Sequence, residues 1–198
     1  MTHNKIIEIA KELATWIHEH TNERNYPDNP GLKLLQQSQD ICDAIIILID
    51  SNLPGPAFAL ARPLLDSYAR GLWLLKYASE EEAEMFLAGK QPPGFDELLK
   101  AIGNDEKTGG AWLHKISELN RSAFHDLTHG GIEHVLRRTT INFIEPNYPE
   151  EEQIRLMQFQ IEIQFAIGAN LLVISNYQVG IEKLEVMAEH YRLAALGT

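Results

Sequence analysis

Residues Pro149 to Ile174 read PEEEQIRLMQFQIEIQFAIGANLLVI. Proline followed by three glutamates is a helix start, since carboxylates favour the positive end of the helix dipole. From Phe165 to Ile174 the segment is apolar on every side, and a helix without a polar face has to be surrounded by others. The spacing therefore predicts a central helix whose neighbours come from the rest of the chain. Apolar residues recur at three- and four-residue intervals nearly everywhere, sustained apolar–polar alternation is absent, and the chain reads as all-α.

Working back from that helix, the first segment runs from about Asn4 to Glu19 and buries Ile6, Ile9, Leu13 and Ile17. A second, Leu32 to Asp50, carries Leu34, Ile41, Ile45 and Leu48 on one stripe. A third opens at Pro56 and runs to about Ala78, with Pro63 removing a backbone hydrogen bond and kinking it near Ala59. Ser79 and Glu82 form a capping box for a short helix ending near Gly89, and another spans Phe95 to Ile102. The next runs from about Ala111 to His129, with Gly130 placed as a left-handed C-terminal cap. A brief segment over Ile132 to Arg138 and the extended TTINFIEPNYP complete the series. The expected fold is an up-and-down helical bundle of four to five long helices plus short accessory ones, a single domain over residues 1–198.

A composition of 44% hydrophobic and 23% charged residues suffices for one sizeable core. The N-terminus interleaves charges with apolar residues, unlike a signal peptide. The runs IIILI at Ile45–Ile49 and Phe165–Ile174 are shorter than the roughly 20 residues of a membrane span, so no membrane association is expected. Cys42, the single cysteine, fits a reducing, cytoplasmic setting. A net charge of −11 disfavours non-specific DNA or RNA binding.

The chemical signal concentrates in Asn120 to Arg138, NRSAFHDLTHGGIEHVLRR. On that helix Leu113, Ile116, Leu119, Ala123, Phe124 and Leu127 form the core face. His114, Glu118, Arg121, His125 and His129 form a stripe opposite. His125 and His129, at i and i+4, could grip one metal ion, as in a bundle hydrolase, with Glu118 two turns earlier. A zinc-protease motif would have glutamate where Asp126 stands. DinB-like bundles add a third histidine, for which His18, His20 or His114 would have to serve.

Further candidates flank the stripe. Gly130-Gly131 allows a turn that could bring His134 back over the pair, and Arg137 and Arg138 face Glu145 or Glu150–Glu152 as structural partners. On the third helix Arg62, Asp66 and Arg70 share a stripe that includes Trp73, with Arg62 and Asp66 spaced as an i,i+4 ion pair. An exposed Trp there predicts cover by a loop or a partner chain.

The all-α pattern, the length and the Arg-then-His face of RSAFHDLTHGG together resemble the HEPN superfamily, bacterial bundles that include toxin and phage-defence RNases. That family pairs an Arg with a His a few residues later across a homodimer; here three residues separate Arg121 from His125 and seven separate it from His129. The resemblance implies RNA binding or metal-independent RNA cleavage in stress or defence, with Arg121, His125 and His129 catalytic, where imidazole moves protons and guanidinium stabilises negative charge. Arg62, Asp66, His134, Arg137 and Arg138 would then bind substrate, with no cofactor and a homodimer, RNA or protein partner. The segments ARPLLDSYARGLWLL, AFHDLTHGGIEHVLRR and IEPNYP also look like a bacterial helical family of unknown function. Two other readings stand beside it: a non-enzymatic homodimeric interaction module, and a metal-dependent hydrolase. Glycine-rich phosphate loops and nucleophile elbows are absent.

Overall fold

The computed structural model describes residues 1–90, 92–103, 112–115, 126–138, 140 and 143–196. Five long helices dominate them: α1 (His3–Thr21), α2 (Pro30–Asp50), α4 (Ala61–Lys76), α8 (Glu150–Ile174) and α9 (Gln178–Leu196). Short helices are α3 (Pro54–Ala59), α5 (Glu80–Leu87), α6 (Phe95–Ile102) and α7 (Ile132–Leu136). Among the described residues there is no β-strand, and the all-α bundle stands.

Local chemistry sets the boundaries. Thr2 accepts a hydrogen bond from the Lys5 amide, and Asn29 accepts from those of Gly31 and Leu32 with Pro30 in the first turn of α2. The Ser79/Glu82 capping box forms as expected at α5. Gly130 has φ 69°, the left-handed value expected of it. The third expected helix is two, broken at Leu60. Pro63 has no N–H to offer the Ala59 carbonyl four residues back, and Thr128 Oγ1 donates to that carbonyl instead, at 3.5 Å. The proline thus both breaks the helix and leaves an acceptor for a distant segment.

As expected of an all-round apolar helix, α8 is central and packs on α1, α2, α4 and α9. By length and composition α8 could cross a membrane, contrary to the reading of its short apolar run. Its apolar residues, however, are spent on bundle contacts: Leu156, Met157, Ile161, Ile163, Ile167 and Leu172 are nearly inaccessible. Beyond it the chain turns at Ser175–Tyr177, with Asn176 at φ 52°, into α9, a separate helix that the sequence reading had not distinguished. α2 and α4 approach closely where Gly31 and Gly71 meet. A Cβ at position 31 would lie 2.6 Å from the Gly71 carbonyl oxygen and 2.7 Å from the Leu75 nitrogen.

Trp73, expected at the surface, is 3% exposed. It lines a hollow with Phe86, Pro92, Pro93 and Glu97, so α5, α6 and the prolines between them cover this side of α4. The loop alternative for its cover is the one realised within the chain.

Candidate functional site

Of the three residues expected to be catalytic, Arg121 and His125 lie outside the described residues, as does Glu118; His129 is exposed at the turn before Gly130. Asp126 has a structural task. Its carboxylate accepts from the Glu133 amide at 3.1 Å and its carbonyl from the Gly131 amide at 2.8 Å, which caps the start of α7. A carboxylate so engaged serves the turn and is not poised as a base.

His134 does fold back, but onto the backbone. Its Nε2 contacts the Leu127 carbonyl and its Nδ1 lies 2.8 Å from Tyr148 Oη. A carbonyl only accepts, so Nε2 carries a proton, and with Nδ1 on the phenol both ring nitrogens are engaged. Tyr148 in turn stacks on Phe58 of α3 at 5.4 Å. Arg137 donates to both Glu152 carboxylate oxygens, at 2.8 and 3.2 Å, and also pairs with Glu133. The expected neutralisation by Glu150–Glu152 is realised at Glu152, tying α7 to α8. Arg138 is exposed and makes no ion pair among the described residues. A Cβ at Gly55 would lie 2.8 Å from its Nη2 and 3.0 Å from Tyr148 Oη, so the guanidinium and phenol rest directly on the α3 backbone.

On α4, Arg62 Nε donates to Asp66 at 2.9 Å, the expected i,i+4 pair, and the guanidinium lies 4.5 Å over the Phe95 ring of α6. Asp66 Oδ1 and Arg70 Nε are buried without hydrogen-bond partners among the described residues. The substrate-binding candidates therefore divide. His134, Arg137 and Arg138 gather where α7 meets α3 and α8, while Arg62 and Asp66 engage α6. The alternative third histidines are each bonded elsewhere: His18 to Asp43 at 2.6 Å, His20 to the Trp16 carbonyl and His114 to the Leu99 carbonyl, both at 2.8 Å. Among the described residues no cluster of three or more His, Cys, Asp or Glu could hold a metal.

What the polar residues anchor is an apolar outer face that sequence reasoning missed. After α7 the backbone turns back on itself as a hairpin, the Asn147 and Glu145 amides donating to the Arg137 and Arg138 carbonyls at 2.8 and 3.0 Å and the Thr140 amide to Phe143. Ile132, Val135 and Leu136 on α7 are 58–62% exposed; Phe143 and Ile144 near the hairpin tip are 68% and 91% exposed. The available signal was the i, i+3, i+4 spacing of the first three, in a helix too short to have a buried side.

Residues 35–195 match a family described as a Family of unknown function (DUF6988). No curated protein and no solved structure matches the chain.

Proposed function

We propose that this chain, which belongs to that family, works as an interaction module that pairs with a second copy of itself through the outer face of α7 and the hairpin tip. One observation carries the reading: five large apolar side chains, Ile132, Val135, Leu136, Phe143 and Ile144, are 58–91% exposed, and α7, which bears three of them, is tied from beneath by the His134 and Arg137 bonds. They amount to on the order of 600 Å² of apolar side chain, at the top of what monomers display and near the roughly 800 Å² per partner of a stable complex. A second copy is the favoured occupant because the same patch, turned about a two-fold axis, covers itself. Net charge −11 on each copy opposes pairing, so association strengthens with salt as repulsion is screened.

Sedimentation velocity over a range of concentrations tests this. Dimers are expected for the native chain and for Leu87→Asp on α5, and monomers for Ile144→Asp and Leu136→Asp. A native chain that stays monomeric at tens of micromolar, or an Ile144→Asp variant that still dimerises, overturns the proposal.

A second reading, RNA-directed action of the HEPN-like kind at Arg121, His125 and His129, draws support from Arg138, an exposed guanidinium with no ion pair among the described residues. It predicts metal-free RNA cleavage that His129→Ala and Arg138→Ala each reduce. Cleavage unchanged by both, or no cleavage at all, removes it.

A further inference from the structure

Away from α7, an open groove of about 610 Å³ runs between α4, α8 and α9, a volume within the usual range for small-molecule sites. One end is aromatic. Tyr68 and Trp112 meet edge to face at 6.4 Å, Phe165 and Tyr191 lie 5.8 Å apart, and Trp112 Nε1 donates to Glu162 at 2.6 Å. That bond fixes the indole plane, so the wall is preformed. Ala166 and Ala169 on α8 and Ala188 on α9 make the lining small where larger side chains would close the groove.

At the rim stands Lys76, with no carboxylate paired to it among the described residues. Much of its side chain is open to solvent, while burial around the ammonium lowers its pKa. An anion arriving there would recover the lost solvation. Lys76 follows Tyr68 by eight residues on α4, about 12 Å along the axis. The groove thus offers rings and the Lys76 cation on one lining, which Glu162, Glu185 and Arg192 share.

We propose that this groove binds an aromatic carboxylate or a similar flat organic anion, its rings against Tyr68, Trp112 and Tyr191 and its charged group on Lys76. Aromatic side chains along the wall suit a planar apolar body, and the alanines admit it. The inference does not depend on the pairing of copies through α7.

Titration with 1-anilinonaphthalene-8-sulfonate, an aromatic anion, and with N-phenyl-1-naphthylamine, the same body without the charge, tests it. Both are expected to bind at one site and to quench Trp112, with the quenching lost in Trp112→Phe. Lys76→Gln should weaken the sulfonate about tenfold and leave the neutral probe unchanged. Ala169→Phe, filling the groove, should abolish both, and Ala166→Leu serves if that variant does not fold. Ile144→Asp should change neither, which separates this groove from the apolar face of α7. Binding that survives the filling substitutions, or Lys76→Gln acting equally on both probes, overturns the proposal.

Discussion

Replacing Gly31 by alanine adds one methyl group where α2 crosses α4. In an unobstructed helix this substitution stabilises by about 0.4–1 kcal/mol, chiefly by restricting the unfolded chain. Here the new Cβ would sit 2.6 Å from the Gly71 oxygen and 2.7 Å from the Leu75 nitrogen, both main-chain atoms with no rotamer to change. Reaching ordinary contact needs the helices to part by roughly 0.8 Å, a gap that forfeits a quarter to a half of the dispersion energy of the contacts behind it. With overpacking at about 1–3 kcal/mol, the net loss is about 2 kcal/mol. For a chain of this length it lowers Tm by about 4–8 °C. Gly168→Ala is the matched control, because its nearest atoms, Ile17 Cδ1 and Cγ1 at 3.1 and 3.3 Å and Leu184 Cδ2 at 3.4 Å, belong to side chains that can give way. Urea unfolding should show a lower midpoint at unchanged slope for Gly31→Ala, and Gly168→Ala within about 0.5 kcal/mol of the native chain. A Gly31→Ala protein as stable as Gly168→Ala would refute the reasoning.

Arg137→Met strands the Glu133 and Glu152 carboxylates, 32% and 25% exposed. It should cost about 1–2 kcal/mol, with faster hydrogen exchange at the Glu145 and Asn147 amides of the hairpin; unchanged protection there would show that the ion pairs do not hold it. Cys42 is inaccessible, and burial, partly offset by its hydrogen bond to Gln160 and reinforced by the charge of Asp43, pushes its thiol well above the ordinary range. Ellman's reagent should therefore react only as fast as the chain opens and fully in concentrated guanidinium, so prompt labelling of the folded protein would contradict that burial.

Periodicity made the bundle legible, because every long helix has to bury a stripe: Ile6, Leu13 and Ile17 on α1 and Ile45 on α2 are all essentially inaccessible, while Ile9, Leu34, Ile41 and Leu48, expected on the same stripes, are only half-buried. Local rules also carried the Ser79 cap, the left-handed Gly130 and the Arg62–Asp66 pair. Failures came where a residue's surroundings arrive from elsewhere in the chain. Cover over the Trp73 stripe was expected, but not that prolines twenty residues later supply it. The α8–α9 break depends on Asn176 taking a left-handed conformation that a non-glycine residue seldom adopts. The partner of His134, Tyr148, follows by fourteen residues and was not legible, whereas the pairing of Arg137 with Glu152, fifteen residues on, was. The groove draws on Tyr68, Trp112, Phe165 and Tyr191, and no linear pattern links four helical segments.

The packing of α1 on α8 also has a consequence in time. Thr21 ends α1, and Glu150, where its principal partner begins, is more than a hundred residues away. At the usual pace of synthesis the ribosome needs on the order of ten seconds to cover that distance. Throughout that interval Ile6, Ala10, Leu13 and Ile17 have no α8 to meet, whereas α2 and α4 can already close on each other at Gly31 and Gly71. A nascent chain halted before Glu150 would hold a formed α2–α4 pair beside a first helix without its α8 partner, the state in which its apolar stripe is most open to aggregation.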